Sequence, residues 1–301
     1  MANLRTDVLF HGSVVSIVDV RCRAGRSPCG GEEHAGDHEL VVTRSGVFVK
    51  HTGRAGRHQV VADATRALLL NRHEPYRVSH PAAGGDECTT LAVRDDVLVE
   101  LVAMHDRTAG DRPGAPFAVG DVPLAPPLLL RFHHLRRRLR SGWSSPLEVE
   151  EEALALLDGV VCDGHRRRQT RTPAARAGTR RARGELVERA RAALAVRLEA
   201  RLSLAALAAA VGCSPFHLAR TFRASTGSSV HQYQLRLRLS LALDRLADGA
   251  HNLSALALDL GFASHSHFAT VFRRTFGATP SAFRRALSGA ALRDARKIAG
   301  D

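Results

Sequence analysis

The spacing of apolar and polar residues changes rhythm along this chain. Residues 14–20, 40–43, 46–49, 59–62, 67–70, 77–79 and 89–93 form short β-rich runs, separated by Gly30, Gly31, Gly53, Gly56, Pro75, Pro81, Gly84 and Gly85. Turn-forming residues at this close spacing predict an antiparallel sandwich or barrel. Pro123, Pro126 and Pro127 then interrupt the chain, and the period lengthens. Residues 128–139 and 147–161 carry apolar side chains at three- and four-residue steps, which predicts two helices, each with one buried face. Glu148, Glu150, Glu151 and Glu152 open the second, where the helix dipole favours negative charge. Such a pair either joins two copies of a chain or covers the open face of the strand domain, and the pattern fits both.

Residues 163–184, DGHRRRQTRTPAARAGTRRARG, hold eight arginines and almost no large apolar side chain, which reads as a solvated, self-repelling tether. Beyond it the pattern is helical, and it repeats. Ser214, Leu218, Phe222, Arg223, Gly227 and Tyr233 recur fifty positions later as Ser264, Phe268, Phe272, Arg273, Gly277 and Phe283, with Gly212 echoed at Gly261. Each copy runs helix, glycine, short turn, a serine able to cap, then a second helix, and Pro215 takes the first helical position in copy one. That is a helix-turn-helix, twice. The expected organisation is α+β: a β domain at 1–127, a helical segment at 128–164, an Arg-rich linker at 165–184, an all-α domain with two helix-turn-helix units at 185–287, and a tail at 288–301.

Charge divides along the same line. The 301 residues carry a net charge of +13, yet residues 1–164 sum to −3 and residues 165–301 to +16. A compact basic half seeks a polyanion, with double-stranded DNA as the first expectation. No stretch approaches the roughly 18 apolar residues of a membrane span, and Arg5 and Asp7 break the amino-terminal segment where a signal peptide would be apolar. A soluble, cytoplasmic protein without membrane partners is expected. Cys22, Cys29, Cys88, Cys162 and Cys213 are odd in number and widely spaced, so reduced thiols are expected.

Leu218 and Phe222, like Phe268 and Phe272, lie four apart and must face inward. That leaves Phe216, Ala219, Arg220 and Arg223 in one copy, and His265, Ser266, Ala269, Thr270 and Arg273 in the other, on outward faces. A capped, basic helix exposed in this way fits a major groove.

The carboxy-terminal hundred residues, about 185–287, resemble the DNA-binding domain of AraC-type (AraC/XylS) bacterial transcription regulators. The likeness rests on Leu204, Leu207, Ala208, Gly212, Ser214, Leu218, Phe222 and Gly227, then Tyr233, Arg236, Leu239 and Ala242. Leu256, Ala257, Gly261, Phe262, Ser264, Phe268, Phe272, Gly277, Thr279, Pro280, Phe283 and Arg284 complete it. The resemblance implies two helix-turn-helix units on one long helix, residues 230–247, entering successive major-groove segments. It implies base-facing roles for Phe216, Ala219, Arg220, His265, Ser266, His267 and Thr270, and phosphate contacts for Arg223, Arg236, Arg273 and Arg274. Arg220 is the strongest of these, because a guanidinium can fork onto guanine O6 and N7. Ala219 offers only a methyl group, and Thr270 stands where a longer polar residue is common, so direct readout is expected to be sparse. His217 and His267 precede buried positions and are also candidates for packing. RNA polymerase is an implied partner, and a homodimer is one candidate assembly.

The family often carries a cupin-like jelly-roll domain ahead of the linker, used to bind a small effector and to dimerise, and residues 39–93 are similar in layout. The fold alone cannot assign a ligand. Cys22, Cys29, His34 and His38, with Cys88 or His80 in support, are candidates for a thiol- or metal-based sensor, though their spacings match no common zinc module. A cupin enzyme would need a compact His-x-His set that is absent. DNA alkylation repair, known in some relatives, would need a Pro-Cys-His-Arg context that is also absent. No catalytic residue and no cofactor are therefore assigned, and the chain is read as a regulator and not as an enzyme.

Overall fold

The computed structural model describes residues 3–53, 56–142, 145–170, 177–198 and 202–287. The expected tail at 288–301 and residues 171–176 of the expected linker lie outside them.

The N-terminal part consists of two antiparallel sheets. One is ordered β1 (Asn3–His11), β2 (Val15–Arg23), β9 (Asp86–Val93), β4 (Glu39–Gly46), β7 (Arg66–Leu70), β10 (Asp121–Pro123). The other is ordered β3 (Glu33–His34), β8 (Pro75–Ser79), β5 (Phe48–Thr52), β6 (His58–Ala62). Successive side chains of a strand point to opposite faces, and here both faces of the larger sheet are covered. Val41, Leu68, Leu70 and Cys88 pack inward with Phe48 and Ala62 of the smaller sheet. Leu40, Val42, Ala67, Leu69 and Leu91 pack outward under a layer of helices.

That outer layer contains α1 (Asp95–Ala103), α2 (Pro126–Arg140) and α3 (Pro146–Thr170), contributing Leu98, Phe132, Leu135, Leu156 and Val160. Pro126 and Pro127 therefore start a helix, as proline can where the first backbone N–H groups have no helical partner. The sequence pattern had not set α1 apart from the preceding strands. Cover for the sheet is thus one role that α2 and α3 fill.

The two described ends of the Arg-rich segment differ from its expectation as a tether. Residues 165–170 continue α3, and residues 177–184 form the start of α4 (Ala177–Val196). Arginine has high helix propensity, so a run lacking apolar periodicity is still drawn into the adjacent helices. Arg181 pairs with Glu185 one turn on at 2.7 Å, and Arg168 reaches Asp106 at 3.2 Å.

The C-terminal helices are α5 (Leu204–Val211), α6 (Pro215–Thr226), α7 (Val230–Ala247), α8 (Leu253–Asp259), α9 (His265–Phe276) and α10 (Pro280–Leu287). They share two cores. Leu186, Ala190 and Leu194 of α4 pack with Leu207, Val211, Leu218, Phe222, Tyr233 and Leu237. The second unit, with Leu243, Leu256, Phe268, Phe272 and Phe283, belongs to the same continuous core as the outer helical layer of the sandwich. The ring of His134 in α2 sits edge-on to Phe283, with centroids 5.3 Å apart. Among the described residues, no helix is long and apolar enough to cross a membrane.

Candidate nucleic-acid interface

Local chemistry fixes each helix-turn-helix unit. In the first, α5 ends at Gly212, whose φ of 73° is the left-handed conformation that favours glycine. Two residues later the Ser214 hydroxyl accepts the amide hydrogen of His217, and Pro215 begins α6. In the second, Ser264 accepts from His267 in the same way and α9 begins at His265. An N-cap serine of this kind contributes about 1 kcal/mol and fixes where its helix begins. Both second helices end at left-handed glycines, Gly227 and Gly277.

The inward faces are Leu218, Thr221 and Phe222 in α6, and Phe268 and Phe272 in α9. Outward, α6 presents Phe216, His217, Arg220 and Arg223, with Ala219 half-buried beside them. The Phe216 ring is 76% exposed, far more than a packing role would leave it. On α9 the outward residues are His265, Ser266, His267, Thr270, Arg273 and Arg274. His267 also lies edge-on to the Phe262 ring at 5.6 Å, so it packs and is exposed at once. Among the described residues, no carboxylate partners the guanidinium of Arg220, Arg223, Arg273 or Arg274.

Arg236 departs from its expected place at the phosphate backbone. It is half-buried on α7, its guanidinium lies 5.9 Å from the Tyr233 ring centroid, and its Nε has no hydrogen-bond partner among the described residues. Burial lowers its pKa below the usual arginine range. Helical periodicity gave no warning, because α7 is enclosed on several sides and a position off the apolar stripe can still face protein.

The contacts between α7 and the sandwich had no signal in the sequence. Arg136 of α2 is 2% exposed and meets Asp19 of β2 at 3.0 Å, Asp244 of α7 at 3.3 Å and Asp248 at 2.9 Å. Arg44 of β4 adds contacts to Asp19 at 3.7 Å and Asp244 at 3.5 Å. These arginines, with Thr89, hold the Asp19 carboxyl below its usual range against the opposing effect of burial, whereas burial raises Asp244 despite the same arginines. On the other flank, Glu188 of α4 accepts the backbone N–H of Val61 at 2.8 Å.

The cysteine and histidine candidates are not brought together as expected. Cys29 and His34 are exposed, while His38 is buried and its Nδ1 accepts the Arg72 amide hydrogen at 3.0 Å. Cys22 instead lies beside His80 and Asp86, with Cys88 on the far side of that carboxylate. Burial and the Asp86 carboxylate raise both thiols, Cys88 well above its usual range.

Residues 207–286 match the helix-turn-helix domain family. The regulatory protein SoxS of Salmonella typhimurium is 36% identical over 86 residues, covering 29% of this chain and 80% of SoxS. The chain belongs to the AraC family of transcriptional regulators. The uncharacterized HTH-type transcriptional regulator YidL of Escherichia coli is 36% identical over 96 residues, which is 32% of each protein. This AraC-family chain therefore spans about a third of the length of some curated relatives it matches, and the aligned part is the helical half. It also aligns with the crystal structure of unsaturated-fatty-acid-bound ToxT from Vibrio cholerae, covering 92% of this chain and 97% of that one. That likeness, at 12% identity and a TM-score of 0.37, is too distant to argue from.

Proposed function

We propose that this protein binds double-stranded DNA with α6 and α9 in successive major-groove segments, and regulates transcription from there. The observation that carries the reading is the set of four exposed arginines, Arg220, Arg223, Arg273 and Arg274, without carboxylate partners among the described residues, on two capped helices within the matched segment. Elsewhere in the chain buried arginines such as Arg44 and Arg136 are matched by aspartates. Exposed cations left without carboxylate partners are suited to phosphate and to base edges. Arg220 is assigned to a base edge, with Phe216, Ala219, His265, Ser266, His267 and Thr270 as its neighbours in the grooves. Arg223, Arg273 and Arg274 are assigned to phosphates, and Arg236 is withdrawn from that role.

The N-terminal sandwich is the regulatory half on this reading, and the chain performs no covalent chemistry. A cleft of about 460 Å³ is lined by Arg44, Ser45, Gly46 and Ala64 on one side and by Leu198, Leu237 and Leu241 on the other. Its size suits a small effector. A ligand there touches both halves and so can favour one arrangement of them over another. RNA polymerase and a second copy of the chain are the macromolecular partners this function calls for.

The test is binding of the full chain to a DNA sequence selected from a random pool, measured across salt concentrations. Log K should fall linearly with log salt, with a slope of about −0.9 for each phosphate neutralised. Absence of binding at low salt, or equal affinity for selected and random DNA, would overturn sequence-specific regulation.

A further inference from the structure

We propose that Cys22, His80 and Asp86 form a binding site for a thiophilic divalent cation of the zinc class within the N-terminal sandwich. The site is separate from α6 and α9, and the proposal does not rest on DNA binding.

Two stretches far apart in sequence converge there: Cys22 on one side, and His80 with Asp86, six residues apart on the β8–β9 connection, on the other. Cys22 near the end of β2 stands directly opposite Asp86 at the start of β9 in the antiparallel register. His80, just after β8, comes from the other sheet, and paired backbone hydrogen bonds with Ser27 hold it in place. Gly85 makes the convergence feasible: its φ is +75°, and a Cβ there would lie 1.9 Å from the Cys22 carbonyl oxygen. Any larger residue would push the β8–β9 connection away from β2.

The donor atoms are already near coordination spacing. Cys22 Sγ is 3.7 Å from His80 Nε2, which is 3.0 Å from Asp86 Oδ1, and the three lie within 4.8 Å of one another. A tetrahedral ion with bonds of about 2.0–2.3 Å sets its donors roughly 3.3–3.8 Å apart. All three residues are buried. The outer contacts also have the character of a metal site. Ser27 Oγ lies 3.3 Å from His80 Nδ1, turning Nε2 toward the cluster, and Cys88 Sγ lies 3.1 Å from Asp86 Oδ2, orienting the carboxylate.

One sulfur, one imidazole nitrogen and one carboxylate oxygen suit zinc better than calcium or magnesium, which prefer oxygen throughout. A divalent cation displaces the Cys22 thiol proton, which passes to the buffer, and the resulting thiolate bonds the metal. Thiolate, carboxylate and dication then sum to zero charge, which makes burial of the group tolerable. The fourth position is left to a water. The sequence alone groups Cys22 with Cys29, His34 and His38, holds His80 and Cys88 only in support, and does not place Asp86 among the candidates, because the partners of Cys22 come from the sheet register and not from its neighbours in the chain.

The test uses the untagged full chain, stripped with chelator, loaded with Zn²⁺ or with Co²⁺ as a spectroscopic probe, and desalted. About one zinc should be retained per chain. The cobalt form should show a thiolate-to-metal charge-transfer band with intense tetrahedral d–d bands. Cys22→Ser should abolish the charge-transfer band and weaken retention by more than about 100-fold, beyond what loss of an outer-shell contact produces. Asp86→Asn should weaken retention with the charge-transfer band still present at saturating cobalt, and Cys29→Ser should change neither readout. The proposal is overturned if the wild-type chain retains no stoichiometric metal, or if its cobalt spectrum lacks the thiolate band. It is equally overturned if Cys29→Ser removes that band or Cys22→Ser retains as much metal as wild type. The wild-type spectrum decides the matter even if Cys22→Ser fails to fold.

Discussion

Tyr233, on the helix joining the two helix-turn-helix units, donates its hydroxyl proton to the carboxylate of Asp63 in the N-terminal sandwich. Thr65 Oγ1 lies 2.6 Å from Asp63 Oδ1 and 3.1 Å from the Tyr233 hydroxyl, and all three residues are buried. The same ring packs edge-on to Phe222, with centroids 5.3 Å apart, and burial beside Asp63 raises the phenol above its usual range. Tyr233 is thus a core residue of the first unit and a contact with the sandwich at once.

Tyr233→Phe keeps the ring and removes the donor to Asp63. The expected loss is about 1–3 kcal/mol in urea denaturation, the cost of weakening a buried hydrogen bond to a charged group. A double-mutant cycle with Asp63→Asn should give a coupling energy well above the roughly 0.3–0.5 kcal/mol scatter of independent sites. Strict additivity would mean that the contact carries no interdomain stability.

Arg136 serves as the buried cation for Asp19 and Asp244. Arg136→Met leaves both carboxylates short of a partner in a place closed to water, and should cost about 3–5 kcal/mol. Arg138 on the same helix pairs at the surface with Glu148, and Arg138→Met should cost less than about 1 kcal/mol. Equal denaturation midpoints for the two variants would contradict the assignment of the buried network.

His133 gives the protein an acid-sensitive seam. Burial, then Arg136, Arg44 and His134, pushes its pKa down to about 3, and Asp244 faces its Nδ1 at 3.9 Å. The unfolded chain takes up this proton near its ordinary value of 6.5, so stability falls as pH drops from there toward 3 and is unaffected above that window. The slope from one such group approaches about 1.4 kcal/mol per pH unit. Asp244, raised by burial, acts in the opposite sense, so wild type and variant must be compared directly. Urea midpoints at about pH 6, 5 and 4.5, inside the roughly 3–6.5 window, should fall more steeply for wild type than for His133→Gln. Parallel slopes would remove His133 as the cause.

On DNA, Arg220→Ala should cost about 1–3 kcal/mol on the cognate site and relax preference at one or two base pairs. Arg273→Ala should weaken cognate and random DNA alike and reduce the salt slope by about one. Both remove one positive charge, so the contrast tests geometry. Equal losses on both DNAs for Arg220→Ala would take it out of base recognition.

The 18 residues of α7 fix the separation of the two units. At 1.5 Å per residue they span about 27 Å, close to one duplex turn of roughly 34 Å once the flanking turns are added. Footprinting should therefore show protection of two major-groove segments about 10 base pairs apart on one face. Five extra base pairs between them should abolish the second contact. Recovery with ten extra pairs in a demonstrably monomeric sample would exclude a rigid bipartite reader.

The strand-rich first half, the fifty-residue repeat, the serine caps, the glycine stops and the inward positions of Leu218, Phe222, Phe268 and Phe272 are legible in the chain alone. Those features depend on side chains within a few residues of one another, so their periodicity is written directly in the chain. The ends of the Arg-rich segment, at 165–170 and 177–184, extend α3 and open α4 because helices that pack on a core draw in flanking residues of high propensity, a matter of tertiary packing. The same packing sets Arg236, half-buried, against Tyr233, brings Arg136 to Asp19 and Asp244, and brings Cys22 to His80 and Asp86. The partners in the last two sets lie more than fifty residues apart. Strand register and the docking of α7 on the sandwich bring them together, and both follow from burial summed over the whole molecule, which no local stretch of sequence contains.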